Sequence, residues 1–301
     1  MKKTLLIAAA ALAAGVISSQ AQVYSQNVVG YVNQTIPAHG YSIVGNQLIN
    51  GSDANGTNGD INTCLVNGFI SSPANNVSQD PSISSNSVLY VWGGPSSPGY
   101  QTYYFFNAAD ATTWEGATSP AGWYTAAGVY AAGIYLTPSL AAFVQNSSYS
   151  SSPMTITTVG TVLQGTNVVQ IKAGYNMISL QEPIGGTNAV ADASGNPLPY
   201  GLPTSLTSSN DSATVSDSPN QNINDALFYW TGSGYATYYF FNAADATTWE
   251  GAASPAGFYD AAGNSMSADL IANSQTLGVN QGFFLYHSGA TVNWTNVFNV
   301  Q

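Results

Sequence analysis

Basic residues are almost absent from this chain. It has no arginine and 3 lysines against 14 acidic residues, a net charge of −11 at pH 7. Two of the lysines, Lys2 and Lys3, precede an apolar run, Leu5–Ala14, and then Ser19-Gln20-Ala21. A basic start, a short apolar stretch and small residues at a cleavage site are the pattern of a secretory signal peptide, with cleavage expected after Ala21. Loss of residues 1–21 leaves Lys172 as the one cation and a net charge of 1 − 14 = −13. Nucleic acid is excluded as a partner, because nothing neutralises phosphates. An anionic membrane surface is disfavoured for the same reason. Salt bridges cannot hold such a fold together, so buried aromatic and β-branched side chains must.

Other absences narrow the chemistry. Cys64 is the single cysteine, which rules out an intramolecular disulfide. It stands in a Thr-Cys-Leu-Val run, expected to be buried, with no cation or histidine beside it to make a reactive thiolate. No cysteine follows the cleavage site to take a lipid anchor. No apolar run reaches the roughly 18 residues of a membrane helix. His39 and His287 are the only histidines, too few for a zinc site, and both fall in turn-like sequence where exposure is expected. There is no Gly-x-Ser-x-Gly elbow before a helix and no glycine-rich phosphate loop.

Aromatic residues, by contrast, are plentiful: 19 Tyr, 11 Phe and 6 Trp. Disordered chains lack them, so a packed core is expected. The strongest feature is a duplication. Thr102–Tyr124 and Thr237–Tyr259 match at 21 of 23 positions with a constant offset of 135, differing only at Thr118/Ala253 and Trp123/Phe258. The flanks match more loosely. Val88–Trp92 corresponds to Ala226–Trp230, and Gly40-Tyr41 to Gly174-Tyr175. The turn Gly93–Gly99 shortens to Thr231–Gly234, which accounts for the change of offset.

Strand, glycine-rich turn, strand is a hairpin signature, and it occurs in both halves. Further strands are expected at Tyr24–Asn33, Tyr41–Leu48, Ala141–Gln145 and Met154–Val159. Their counterparts are Asn167–Ile171, Gly174–Leu180, Gly282–Tyr286 and Thr291–Val297. A helical turn is expected within Thr63–Ile70, a loop over Asp110–Gly116, and no amphipathic helix. The plan is all-β, with two tandem, internally duplicated β-sandwich or barrel-like domains after the signal peptide. They are 22–162 and 163–301, divided around Val162–Gly165. One pseudo-symmetric barrel built by both halves is the alternative.

A set of these motifs resembles a family. Asn27-Val28-Val29-Gly30-Tyr31, a Gly-Tyr-x-x-Ile strand, Leu-Tyr-Val-Trp, and a closing Gly-Phe-Phe-Leu-Tyr with Thr-Val-x-Trp look like secreted, duplicated β-domain proteins of Verrucomicrobia and related bacteria. The resemblance covers most of the mature chain. It implies secretion and a β-fold and lends no catalytic residues. The inserts Asn50–Asn62 and Asp192–Pro219 depart from the family's compact pattern.

Candidate ligand-binding residues lie in the duplicated block: Tyr104, Asp110, Trp114 and Glu115, with Tyr239, Asp245, Trp249 and Glu250 in the copy. Paired carboxylates serve glycosidases, and Trp beside them can stack on sugar, but spacing in a loop does not set the carboxylate separation. Solvated or structural carboxylates are the competing reading. Along Tyr103–Phe106 and Tyr238–Phe241 alternate rings face opposite sides of a strand. Two of each four either point outward for a ligand or neighbour, or are buried between layers. Asp53, Asn55, Thr57 and Asp60 present oxygens at the odd spacing of a calcium loop. Asn58 stands where that loop needs glycine, and Cys64 where it needs a bidentate glutamate, so a polar turn competes. Asp211, Asp217 and Asp225 form a looser acidic cluster. No catalytic set emerges, and calcium is the one cofactor suggested. The expectation is a secreted or cell-surface, non-enzymatic structural protein that self-associates. A lectin-like module for extracellular polysaccharide with two repeated sites comes next, and a glycoside hydrolase a distant third.

Overall fold

The structure is a computed structural model that describes residues 29–50, 59–72, 83–115, 118–183, 202, 205–209, 223–250, 254–266 and 278–298. The fold is all-β, built of antiparallel sheets. The first half holds β1 (Val29–Ile36), β2 (Tyr41–Gly45), β3 (Leu48–Ile49), a one-turn helix α1 (Ile61–Cys64), β4 (Val88–Trp92), β5 (Tyr100–Phe106), α2 (Ala108–Glu115), β6 (Gly122–Tyr124), β7 (Ala141–Gln145) and β8 (Met154–Val162). The second holds β9 (Gly165–Ile171), β10 (Gly174–Ser179), β11 (Ala226–Trp230), β12 (Tyr235–Phe241), α3 (Ala243–Glu250), β13 (Gly257–Tyr259), β14 (Gly282–His287) and β15 (Val292–Phe298).

Each half has a five-stranded sheet, ordered β2-β7-β4-β5-β6 in one and β10-β14-β11-β12-β13 in the other. Each also has a smaller sheet, β1-β8-β3 or β9-β15. The sheet order repeats with the sequence. The expected hairpin is β4–β5, with Leu89 opposite Tyr103 and Trp92 opposite Tyr100. Its copy is β11–β12, with Leu227 opposite Tyr238 and Trp230 opposite Tyr235. Turns of different length close the same register, through Gly93 N–H to Gly99 C=O and Thr231 N–H to Gly234 C=O, both 2.9 Å.

The aromatic run on β5 is covered on both faces. Tyr103 and Phe105 pack with Ile36, Met154, Ile156 and Trp123 between the large and small sheets. Tyr104 and Phe106 point the other way and lie against Ala111 of α2. The copy repeats this, with Tyr238 and Phe240 beside Trp294 and Phe258, and Tyr239 and Phe241 beside Ala246 of α3. All eight rings are at most 5% exposed. Burial of this much ring surface is the main stabilising term in a chain without ion-pair networks.

The block expected to be a loop forms α2 and α3 instead. Three alanines favour a helix, and Asn107 caps it by accepting from Asp110 N–H at 2.8 Å. It carries no periodic apolar pattern, since among its described side chains Ala111 and Trp114 are the hydrophobic ones packed on the sheet. The short strands β6 and β13 were also not anticipated. They hold Trp123 and Phe258, the conservative substitution in the duplicated block. Both are fully buried, but Trp123 Nε1–H also donates to Leu65 C=O at 2.6 Å, which Phe258 cannot do.

The two halves meet through the same faces of their large sheets that carry α2 and α3, over the part of each face that the helices leave uncovered. Ile43, Ala141, Met177 and Phe284 are buried there, with Trp92, Phe143, Tyr175, Phe228 and Trp230 packed around them. The contacts are reciprocal. Trp92, ending β4, donates its indole N–H to Tyr175 C=O, and Trp230, ending β11, donates to Tyr41 C=O, both at 3.0 Å. Gly45 N–H donates to Asn280 C=O at 2.6 Å, and Ser179 N–H to Ser139 C=O at 2.8 Å. Ser139 and Asn280 occupy equivalent positions, each two residues before its strand, and both adopt positive φ (78° and 68°). Such exchange of matching contacts is the rule of a two-fold interface, realised here within one chain. Close approach depends on glycine. A Cβ on Gly45 would come within 2.2 Å of Ser179 Cβ, and one on Gly282 within 2.4 Å of both Ala141 Cβ and Ile43 Cγ2.

Candidate functional site

The carboxylates of the duplicated block serve the helix starts. Asp110 Oδ2 accepts from Ser71 Oγ–H at 2.6 Å and from Asn107 Nδ2 at 2.7 Å, while Asn107 N–H donates to Ser71 Oγ at 2.9 Å. Asp245 repeats the arrangement with Ser208 and Asn242 at 2.6 and 2.7 Å. This is a reciprocal capping network, with cap and third helical residue bonded to one another. A carboxylate in the first turn also suits the helix dipole. Both roles were legible in the Asn-x-x-Asp spacing.

Trp114 stacks on Phe106 with centroids 4.6 Å apart and 8° between planes, and Trp249 on Phe241 at 4.4 Å and 4°. One face of each indole is therefore occupied by the protein. Tyr104 and Tyr239 are buried under the helices. Glu115 and Glu250 end α2 and α3, and their side chains lie outside what the structure describes. The block thus brings Tyr104 and Trp114 together as packing around Phe106, and Tyr239 and Trp249 likewise around Phe241.

Of the expected calcium ligands, Asp53, Asn55 and Thr57 lie outside the described residues. Asp60 caps α1, its Oδ1 accepting from Asn62 N–H at 2.8 Å. Among the described residues no three His, Cys, Asp or Glu side chains gather as a metal site. Cys64 is buried, and burial, helped by the Asp60 charge, pushes its thiol up to about 12 despite a backbone hydrogen bond. It is a core residue in an environment that suppresses the thiolate.

His287 departs from its expected exposure. It is 1% exposed, with Nδ1 2.6 Å from Asp225 Oδ2 and Nε2 2.6 Å from Ala290 C=O. Both neighbours are acceptors, so both ring nitrogens donate and the imidazole is held as the cation. Burial by itself lowers its pKa. The Asp225 hydrogen bond, the Ala290 carbonyl and the Asp225 charge outweigh that and raise it. Asp225 is further bound by Thr207 N–H at 2.9 Å, Ser288 N–H at 2.8 Å and Ser288 Oγ at 3.1 Å. It belongs to this network; Asp211 and Asp217, grouped with it by sequence, lie outside the described residues. His39 is exposed, with Nδ1 2.6 Å from Ser148 C=O. Glu182 is buried, and desolvation raises its pKa against the hydrogen bonds it receives, among them one from Asn296 Nδ2 at 2.5 Å.

Exposed ring surface collects elsewhere, at the junction of the halves. Trp92, Tyr100, Tyr175, Phe228, Tyr235 and Phe284 line a cleft of about 310 Å³ that opens to solvent. Tyr100 and Tyr235 begin β5 and β12, at equivalent places, and are 43% and 45% exposed. The rings pack edge to face in matched pairs. Trp92–Tyr100 centroids are 5.2 Å apart and Trp230–Tyr235 5.1 Å; Trp92–Phe284 are at 5.7 Å and Trp230–Phe143 at 5.4 Å. Sequence reasoning placed ligand contact further along the same strands. The signal it passed over was Tyr100 and Tyr235 themselves, which alternate onto the same face as Tyr104 and Tyr239 but lie beyond the reach of the helices. No family model matches this chain, and no curated protein and no solved structure matches it.

Proposed function

We propose that the protein is an exported, non-enzymatic, β-rich structural protein that assembles through open sheet edges. The observation that carries this reading is β1. Among the described residues it has one strand partner, β8, and its sequence VGYVNQTI holds no charge. Val29 and Tyr31 are 69% and 66% exposed. Soluble proteins usually protect a long edge with lysine, proline or a bulge, because its unpaired amides and carbonyls template another strand. β9 and β15 pair only with each other among the described residues, and GTNVVQI and VNWTNVF are equally uncharged. The engaged carboxylates fit the same reading, because Asp110, Asp245 and Asp225 are committed to holding the fold.

The test is the oligomeric state of the mature chain, by light scattering across a concentration series and by electron microscopy. Defined oligomers are expected, and Val29→Lys with Tyr31→Lys should shift them to monomer with unchanged circular dichroism. A wild-type chain that stays monomeric at high concentration removes the proposal.

A further inference from the structure

We propose that the aromatic cleft at the junction of the two halves is a binding site for neutral oligosaccharide. The proposal is independent of assembly through sheet edges. At about 310 Å³ the cleft falls at the lower end of small-ligand sites. That is room for a pyranose ring and part of its neighbour. Its six lining residues are all aromatic, and none brings a carboxylate, an ammonium or a guanidinium. Aromatic faces carry negative charge density, which suits the weakly positive axial C–H groups of a sugar ring.

A sugar also needs polar partners at its edge, and two are present. The Tyr100 and Tyr235 rings are half exposed, and their hydroxyls make no hydrogen bond to the described residues. Burial pushes Tyr100 up to about 12 and raises Tyr235 as well, which keeps both as neutral phenols. A neutral phenol both donates and accepts, as sugar hydroxyls require. The two lie near one another, both packing against Phe143 with ring centroids 6.2 and 6.4 Å away. One comes from each half, so a ligand of repeating units laid across the junction meets a repeated pair. The cleft is also preorganised. Trp92 is held by its indole bond to Tyr175 C=O, and the matching Trp230 bond to Tyr41 C=O ties the other sheet. Little ordering cost then remains on binding.

Charge selects among ligands. An acidic polysaccharide would approach a chain with 14 acids and 3 lysines. An organic ammonium ion is the other chemistry that aromatic clefts take. A neutral sugar is favoured over it here, because no carboxylate lines the site and the two phenols, without a hydrogen bond among the described residues, offer hydrogen bonds that a quaternary ammonium cannot use.

The experiment is isothermal titration, with tryptophan fluorescence in parallel, of the mature chain against cellohexaose, xylohexaose, mannohexaose, maltohexaose and laminarihexaose. Tetragalacturonate and choline are the counter-probes. At least one neutral hexasaccharide should bind, and neither counter-probe should. Tyr100→Ala with Tyr235→Ala should weaken binding about tenfold or more through lost ring contact. Tyr100→Phe with Tyr235→Phe, which keeps the packing, should weaken it about threefold through the hydroxyls alone. Near-ultraviolet circular dichroism checks the fold, and the phenylalanine pair carries the test if the alanine pair is perturbed. Trp114→Ala with Trp249→Ala should leave affinity within about twofold, since those rings lie outside the cleft and distant sites act independently. Four outcomes overturn the site: no neutral sugar binds, both tyrosine pairs leave binding unchanged, tetragalacturonate binds as well as the neutral sugars, or choline binds instead.

Discussion

Replacing Asp225 by asparagine should expose the charge state of His287. The carboxylate is fully buried and receives four donors, from Thr207 N–H, Ser288 N–H, Ser288 Oγ and His287 Nδ1. Asparagine keeps the shape but loses the charge, and its amide turns a donor toward donors. Breaking a buried pair costs about 3–5 kcal/mol, and the low end, about 3, applies because Ser288 and Ala290 lie on an exposed turn. The pH dependence gives a sharper measure. The folded pKa of His287 is raised above its unfolded value of 6.5, so folding takes up a proton. The stabilisation is complete below about pH 6.5 and is lost as pH rises through the folded pKa. One proton limits the slope to about 1.4 kcal/mol per pH unit.

Urea unfolding of the mature chain, followed by tryptophan fluorescence from pH 5.5 to 9, reads both quantities. Glu182 is also raised by burial and adds a decline of the same sign from lower pH, but it cancels when variant is subtracted from wild type. The wild type should lose stability above about pH 6.5, and Asp225→Asn should start about 3 kcal/mol lower and lack that loss. Parallel pH curves for the two proteins would refute the charged pair.

Three further outcomes follow from the packing. Gly282→Val should destabilise by about 2–3 kcal/mol or more, since its side chain would overlap Ala141 and Ile43, whereas Gly234→Ala, with open space around it, should stay within about 0.5 kcal/mol; urea midpoints decide. Asp110→Ala and Asp245→Ala should each cost about 1 kcal/mol by removing the carboxylate that completes the capping network, and the effects should add in the double variant, by thermal unfolding. Cys64 should resist Ellman's reagent in the native protein up to pH 9 and react at once in urea, because burial holds the thiol protonated.

Much of the strand plan was legible. The hairpin β4–β5 and its copy followed from aromatic runs bracketing glycine turns, and β7 was located to the residue. What escaped shows where local pattern stops working. α2 and α3 gave no periodic signal because a two-turn helix resting on one alanine and one tryptophan needs no apolar stripe. β6 and β13 are three residues each, too short for alternation to register. Asp110 and Asp245 left a structural and a ligand-binding reading both open, because a carboxylate that holds a helix start and one that meets a ligand are the same side chain. The hydrogen bonds from Ser71 and Ser208, 39 and 37 residues away in the chain, separate the two roles.

Composition, duplication, charge balance and strand alternation are properties of the chain taken one stretch at a time, and reading along it was enough for them. Which rings are covered was not such a property. Tyr104 and Tyr100 lie on the same face of one strand, yet only the first has a helix above it. His287 gains its charge from Asp225, 62 residues earlier. The cleft exists only because Trp92 and Tyr100 from one half meet Tyr175, Phe228, Tyr235 and Phe284 from the other. Burial, pairing and concavity depend on which distant residues share a neighbourhood, and packing the two large sheets face to face made that choice.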